Sequence, residues 1–70
     1  MCQRITFFFN GQEYYTEYSI TILQLLNYFC YKSNLFVIEH NNFICNKNEW
    51  EKIFINKNDK IEIITIVGGG

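Results

Sequence analysis

Seventy residues, 49% of them apolar and 19% aromatic, make one small domain with enough Ile, Leu, Phe and Tyr for a core, which excludes a disordered chain. A formal net charge of −1, with no basic cluster interleaved with the aromatics, leaves no electrostatic footprint for nucleic acid. No apolar run approaches the about 18 residues of a membrane-spanning helix, so neither nucleic acid nor a membrane is an expected partner.

The opening Met1-Cys2-Gln3-Arg4 leads directly into a strand pattern, unlike a signal or transit peptide. The chain is therefore expected to work in the compartment where it is made. Residues 3–9 read as a strand rich in β-branched and aromatic side chains. Alternation puts Ile5, Phe7 and Phe9 on one face and Arg4, Thr6 and Phe8 on the other. Asn10-Gly11 between two such runs is a strong signal for a two-residue hairpin, with residues 12–18 as the return strand.

Ser19 suits the N-cap of a helix over residues 20–31. Ile22, Leu25, Leu26 and Phe29 recur at helical spacing and form its buried stripe. Lys32-Ser33-Asn34 is a polar exit, and residues 35–39 read as a third strand. His40-Asn41-Asn42 is expected to turn, followed by a short strand over residues 43–45. Asn46 is placed to cap a helical turn through Trp50, continuing toward Ile53. Asn56-Lys57-Asn58-Asp59 is a second turn, and residues 60–67 form the last strand.

In that strand Ile61, Ile63, Thr65 and Val67 share one face; Glu62, Ile64 and Ile66 share the other, which the glutamate marks as outward. With the first and last strands paired, Phe8, Ile64 and Ile66 would form an exposed apolar patch, the kind of surface that marks partner sites. Hairpin, helix, strand, short strand, helical turn and strand in this order place the first and last strands side by side, central and parallel. The expected fold is α+β, a β-grasp in which a mixed sheet of four to five strands wraps over one main helix. Residues 1–67 form the domain and residues 68–70 a flexible Gly-Gly-Gly tail.

Three of the four glycines stand in that tail. Lacking Cβ, it could enter a cleft closed to bulkier backbones and carry the Gly70 carboxylate on the order of 10 Å beyond the fold. A frayed terminus or a cloning remnant is the plainer reading of the tail alone. Cys2, Cys30 and Cys45 are odd in number and irregularly spaced, which fits reduced, buried thiols and no metal site. His40 beside Glu39 could do acid–base chemistry, but a solvated turn is the expected role. Asp59 with Glu62, and Glu49 with Glu51, read as surface charges. Phe, Tyr, Ile, Asn and Lys fill more than half of the chain, while Ala and Pro are absent. That bias points to an A+T-rich genome, such as that of a plastid or a low-G+C bacterium, and so to the cytoplasm or a plastid stroma.

The whole chain resembles the ThiS family of sulfur carriers in thiamine biosynthesis, within the ubiquitin-like, ThiS/MoaD-like group. The resemblance rests on Phe9-Asn10-Gly11-Gln12, the helix opening Thr21-Ile22-Leu23-Gln24-Leu25-Leu26, and Glu39-His40-Asn41. Trp50, Asn58-Asp59-Lys60-Ile61 and Val67-Gly68-Gly69-Gly70 complete it. One departure stands out: Cys45-Asn46-Lys47 replaces a frequent Val-Pro-Arg, and lysine lacks the fork geometry of arginine.

The resemblance implies a carrier and co-substrate with no catalytic residues of its own and no bound cofactor. An adenylating partner would join the Gly70 carboxylate to AMP, using ATP and magnesium. A sulfur donor, fed by a cysteine desulfurase, would convert the adenylate to a thiocarboxylate, and thiazole synthase would receive the sulfur. Val67, Gly68 and Gly69 would thread partner active sites, and Phe8, Ile64 and Ile66 would dock both partners. The alternatives are a carrier of the molybdopterin-synthase small-subunit type, a ubiquitin-like protein modifier, and a small interaction domain with an incidental glycine tail.

Overall fold

The computed structural model describes residues 4–29 and 36–65. The chain order is β1 (Ile5–Phe9), β2 (Gln12–Thr16), α1 (Ile22–Tyr28), β3 (Phe36–His40), β4 (Phe43–Cys45), a 3₁₀ turn (Lys47–Glu49) and β5 (Lys60–Thr65). The strands form one mixed sheet in the order β2-β1-β5-β3-β4. β5 is central, parallel to β1 and antiparallel to β3. This is the expected α+β, β-grasp fold, with five strands. The boundary drawn between residues 67 and 68 lies outside the described residues, as do Gln3 and Leu35, the first residues expected in β1 and β3.

Both hairpins are two-residue turns with positive φ at each central position. Asn10 and Gly11 adopt 53° and 80°, and Asn41 and Asn42 adopt 53° and 75°. Such turns match the twist of the flanking strands, and Asn and Gly bear the left-handed conformation at least cost. His40, expected in the second turn, is instead the last residue of β3 and pairs with Phe43. β2 ends at Thr16, short of Tyr18, because the Thr16 hydroxyl turns the chain: it accepts the Tyr18 N–H and donates to the Tyr18 carbonyl.

The helix starts later than Ser19 suggests. Thr21 is its cap, and a reciprocal pair of bonds closes the first turn. The Gln24 N–H donates to the Thr21 hydroxyl, and the Thr21 N–H donates to Gln24 Oε1. Thr21-x-x-Gln24 satisfies two otherwise orphaned N–H groups where Ser19 has no such partner three residues on. The Ile22 and Leu23 N–H groups donate to the Ile53 and Trp50 carbonyls, so the segment after the 3₁₀ turn covers the helix start. The expected end of the helix, Cys30 and Tyr31, lies outside the described residues. Asn46 makes no side-chain cap bond; its carbonyl accepts the Glu49 N–H instead.

Ile22, Leu25 and Leu26 pack from the helix onto Phe7 and Phe9 of β1, Ile38 of β3 and Ile61 of β5, with Trp50 and Ile55 closing one side. Phe29, the fourth residue of the stripe, is half-buried and stacks on Phe9, ring centroids 5.0 Å apart. Trp50 lies parallel to Phe36 at 5.8 Å and donates its indole N–H to the Cys45 carbonyl. A buried Trp thus satisfies its one polar atom.

Candidate functional site

β5 ends at Thr65, the last described residue, so the elements that hold it fix the point from which residues 66–70 continue. Its start is fixed by the turn at residues 56–59. The Phe8 N–H donates to the Asp59 carbonyl at 2.8 Å, and the Asn58 N–H donates to the Thr6 carbonyl. Asn58 takes φ 68° to make this turn. Asn10 then extends β1 with its side chain, because its N–H donates to the Ile61 carbonyl and its Oδ1 accepts the Ile63 N–H at 2.9 Å. On the other side β3 pairs along β5 as far as Phe36 opposite Thr65.

The outer face carries the two described residues of the expected docking patch. Phe8 is half-buried and sits beside Lys60; Ile64 is 37% exposed and sits beside Val37. β1 and β5 do pair, but the register sets Phe8 and Ile64 four residues apart along β5, roughly 13 Å, with Glu62 between them on the same face. The two are therefore not brought into one contact. Ile66, Val67, Gly68, Gly69 and Gly70 lie outside the described residues.

The densest polar cluster was not legible as such. Asp59, read from the sequence as a surface charge, is only 6% exposed. Its Oδ2 accepts from His40 Nε2 and from the Asn56 N–H, each at 2.8 Å, and its Oδ1 accepts from Asn41 Nδ2 at 2.9 Å. Asn41 also accepts the Lys60 N–H on its own Oδ1 and donates its N–H to the Lys60 carbonyl. Burial alone would raise the Asp59 carboxyl; the bonds from Asn41, Asn56 and His40, with the His40 charge, outweigh it and hold the group below the usual carboxylate range. The cluster ties the β3–β4 turn to the start of β5. Two sequence signals could have found it: His40 alternates with Phe36 and Ile38 on one face, and Asn56 precedes Asp59 at turn spacing.

Cys45 is buried and free. Burial, reinforced by the negative charge of Glu49, pushes its thiol up, opposite to the shift that activates a nucleophilic cysteine. Cys2 and Cys30 lie outside the described residues. Among the described residues no three His, Cys, Asp or Glu side chains gather to hold a metal ion, and no helix is long and apolar enough to cross a membrane.

With this geometry in place, comparison with known proteins is decisive, because residues 7–70 match the ThiS family. The chain belongs to the ThiS family. The fold agrees: the crystal structure of thiamine biosynthesis protein ThiS from Geobacter metallireducens superposes with a TM-score of 0.81, covering 94% of this chain and all of that one at 17% identity. Among relatives, an uncharacterized protein ycf40 of Trieres chinensis is 68% identical over 65 residues, 93% of this chain and 89% of its own length. The ycf40 protein of Porphyra purpurea is 38% identical over 61 residues, 87% and 86% of the two chains.

Proposed function

We propose that this protein is the sulfur carrier of thiazole formation in thiamine biosynthesis, with Gly70 as the carrying residue. The observation that carries the reading is the ThiS-family match, which runs through the fold and reaches Gly70. It favours the thiamine branch over a molybdopterin-type carrier or a protein modifier.

A carboxylate is a poor electrophile. In an adenylating partner, with magnesium, the Gly70 carboxylate attacks the α-phosphate of ATP and pyrophosphate leaves. This gives an acyl adenylate from which AMP can depart in the next step. The outer sulfur of a persulfide on a donor fed by a cysteine desulfurase displaces AMP to give an acyl disulfide. A second thiol then cleaves it, forming a disulfide with the donor's cysteine and leaving the thiocarboxylate, from which thiazole synthase takes the sulfur. The chain is a co-substrate in each step, and catalysis belongs to the partners. Its own residues supply reach and fit: Gly68 and Gly69 present no side chain to the partner's active-site channel, Val67 leads them in, and β5 holds the point from which they depart. Phe8, Ile64 and Ile66 are the docking residues of this proposal. Because the register separates Phe8 from Ile64, they act as two contacts flanking Glu62. The excess of Phe, Tyr, Ile, Asn and Lys, residues with A+T-rich codons, supports work in a plastid stroma.

The test is an intact mass of the full chain after incubation with ATP, magnesium, an adenylating enzyme of the ThiF type and a sulfide source. The expected product is heavier by the replacement of one oxygen with one sulfur, located at Gly70 by fragmentation. An unchanged mass, with the enzyme active on its own carrier, would overturn the reading.

A further inference from the structure

Asn10 does two things at one place. It opens the β1–β2 turn, at φ 53° with Gly11 at 80°, and its Oδ1 accepts the Ile63 N–H of β5 at 2.9 Å. Both turn residues are exposed, and no atom stands within 4 Å of the position a Gly11 Cβ would take. The Gly11 N–H lies outside the Phe9–Gln12 pair that closes the turn and donates to no described residue.

This juxtaposition has a chemical consequence. A backbone amide nitrogen that has lost its proton to base can attack the side-chain amide carbon of an asparagine just before it. A side chain on the attacking residue crowds that approach, and glycine has none. No other asparagine in the chain is followed by glycine or serine. Asn58, also exposed and in a turn, is followed by Asp59, whose N–H is already given to the Asn56 carbonyl at 3.1 Å.

We propose that Asn10-Gly11 is a self-modification site, shut while Asn10 holds Ile63, whose conversion to isoaspartate unfastens β5 at that point. The bond from the Gly11 nitrogen to Asn10 Cγ forms, the Cγ–Nδ2 bond breaks, and the side-chain nitrogen leaves as ammonia, giving a five-membered succinimide. Water then opens the ring. Addition at Cγ returns the ordinary backbone with aspartate in place of asparagine. Addition at the backbone carbonyl breaks its bond to the Gly11 nitrogen and routes the chain through Cγ, as isoaspartate. Water is the one co-reactant. Ring closure draws Cγ and Oδ1 onto the Gly11 nitrogen and off the Ile63 N–H, so the folded turn converts only when it opens. The two products differ at the anchor. Aspartate keeps a side-chain oxygen for the Ile63 N–H. Isoaspartate adds a methylene to the backbone of a two-residue turn, and the Phe9–Gln12 pair and the Ile63 bond cannot both survive it. The site does not depend on the carrier reading.

The test holds the full chain, with reductant, at mildly alkaline pH, once folded and once in guanidinium chloride. Conversion is followed by peptide mass mapping and by enzymatic methylation of isoaspartate. In denaturant Asn10 should convert faster than every other asparagine, and folding should slow it at least about tenfold. Gly11→Ala, read in denaturant where its strain at positive φ is absent, should slow it at least about tenfold as well. After refolding, the isoaspartyl chain should exchange its Ile63 amide at least about tenfold faster than the unconverted chain, while Asn10→Asp should stay within about threefold. Equal rates folded and unfolded, another asparagine converting first in denaturant, or a refolded isoaspartyl chain with unchanged Ile63 exchange would each overturn the proposal. The comparison of rates stands whether or not the isoaspartyl chain refolds.

Discussion

Replacing Asp59 by Asn tests whether the cluster at the start of β5 stabilises the fold as its geometry implies. The substitution keeps the volume and removes the charge. Its amide offers one oxygen where three donors converge: His40 Nε2 and the Asn56 N–H on one carboxylate oxygen, and Asn41 Nδ2 on the other. Asn41 cannot correct the mismatch by turning over, because its own Oδ1 holds the Lys60 N–H at 2.8 Å. Hydrogen bonds to a charged group contribute about 1.5–3 kcal/mol each. Asn41 is exposed and His40 half-buried, so water recovers part of the loss.

The expected net cost is about 2 kcal/mol at neutral pH, which for a domain of this size lowers Tm by roughly 8–16 °C. The pH dependence carries the sharper test. The folded Asp59 carboxyl lies below its ordinary value, so its contribution is fully present above the unfolded value of about 3.9 and is lost as pH falls through the folded one. Urea unfolding followed by Trp50 fluorescence, at pH 7 and in steps down to about pH 3, should show the gap between the two proteins narrowing below about pH 4. A gap under about 0.5 kcal/mol at pH 7, or one that does not narrow in acid, would refute the reasoning.

Ile38→Ala empties the centre of the core, where Ile38 is fully buried, and should cost about 3–4 kcal/mol in urea unfolding. Thr21→Ala breaks both halves of the helix cap and should cost about 1 kcal/mol by the same measurement. Asn10→Ala leaves the Ile63 N–H without its acceptor and puts a less tolerant residue at φ 53°; a loss of about 1–2 kcal/mol is expected. Deletion of Gly70 should abolish thiocarboxylate formation in the intact-mass assay while leaving Tm unchanged within about 1 °C.

Period and turn chemistry made most of the fold legible. Phe7 and Phe9 alternating inward, Ile22, Leu25 and Leu26 at helical spacing, and Asn10-Gly11 between two strands each express a local rule that the tertiary structure did not override. The helix start was misplaced because Ser19 and Thr21 are both acceptable caps by type; only Thr21 has Gln24 three residues on and the Ile53 and Trp50 carbonyls beside the next two N–H groups. The second of these signals is a contact across about 30 residues of chain, which a local reading cannot see. The same holds at Asp59, whose environment is made by residues 18 and 19 positions away. Of the candidate site, the placement of Phe8 and Ile64 on the outer face was readable from alternation. Their separation was not, because it depends on register, and register is set by the Asn10 side chain reaching Ile63 and by Phe8 pairing with Lys60.

These anchors give β5 a mechanical meaning. A strand with neighbours on both sides opens only when much of the sheet does, so its opening free energy approaches that of the whole domain, whereas an edge strand can fray on its own. Here the central strand is also secured by side chains. Asn41 grips both backbone groups of Lys60, Asn10 takes the Ile63 N–H, and Asp59 fastens the preceding turn to the β3–β4 hairpin. Four asparagines, Asn10, Asn41, Asn42 and Asn58, take positive φ in the turns around this region, so conformational cost is concentrated where β5 begins. A partner that holds residues beyond Thr65 pulls first on the end of β5 that pairs with β3 alone, and behind it the two-sided pairing and side-chain anchors from Lys60 to Ile63 hold the strand. On the proposed carrier role, departure from a strand anchored in this way keeps the domain intact while a partner holds the residues that follow.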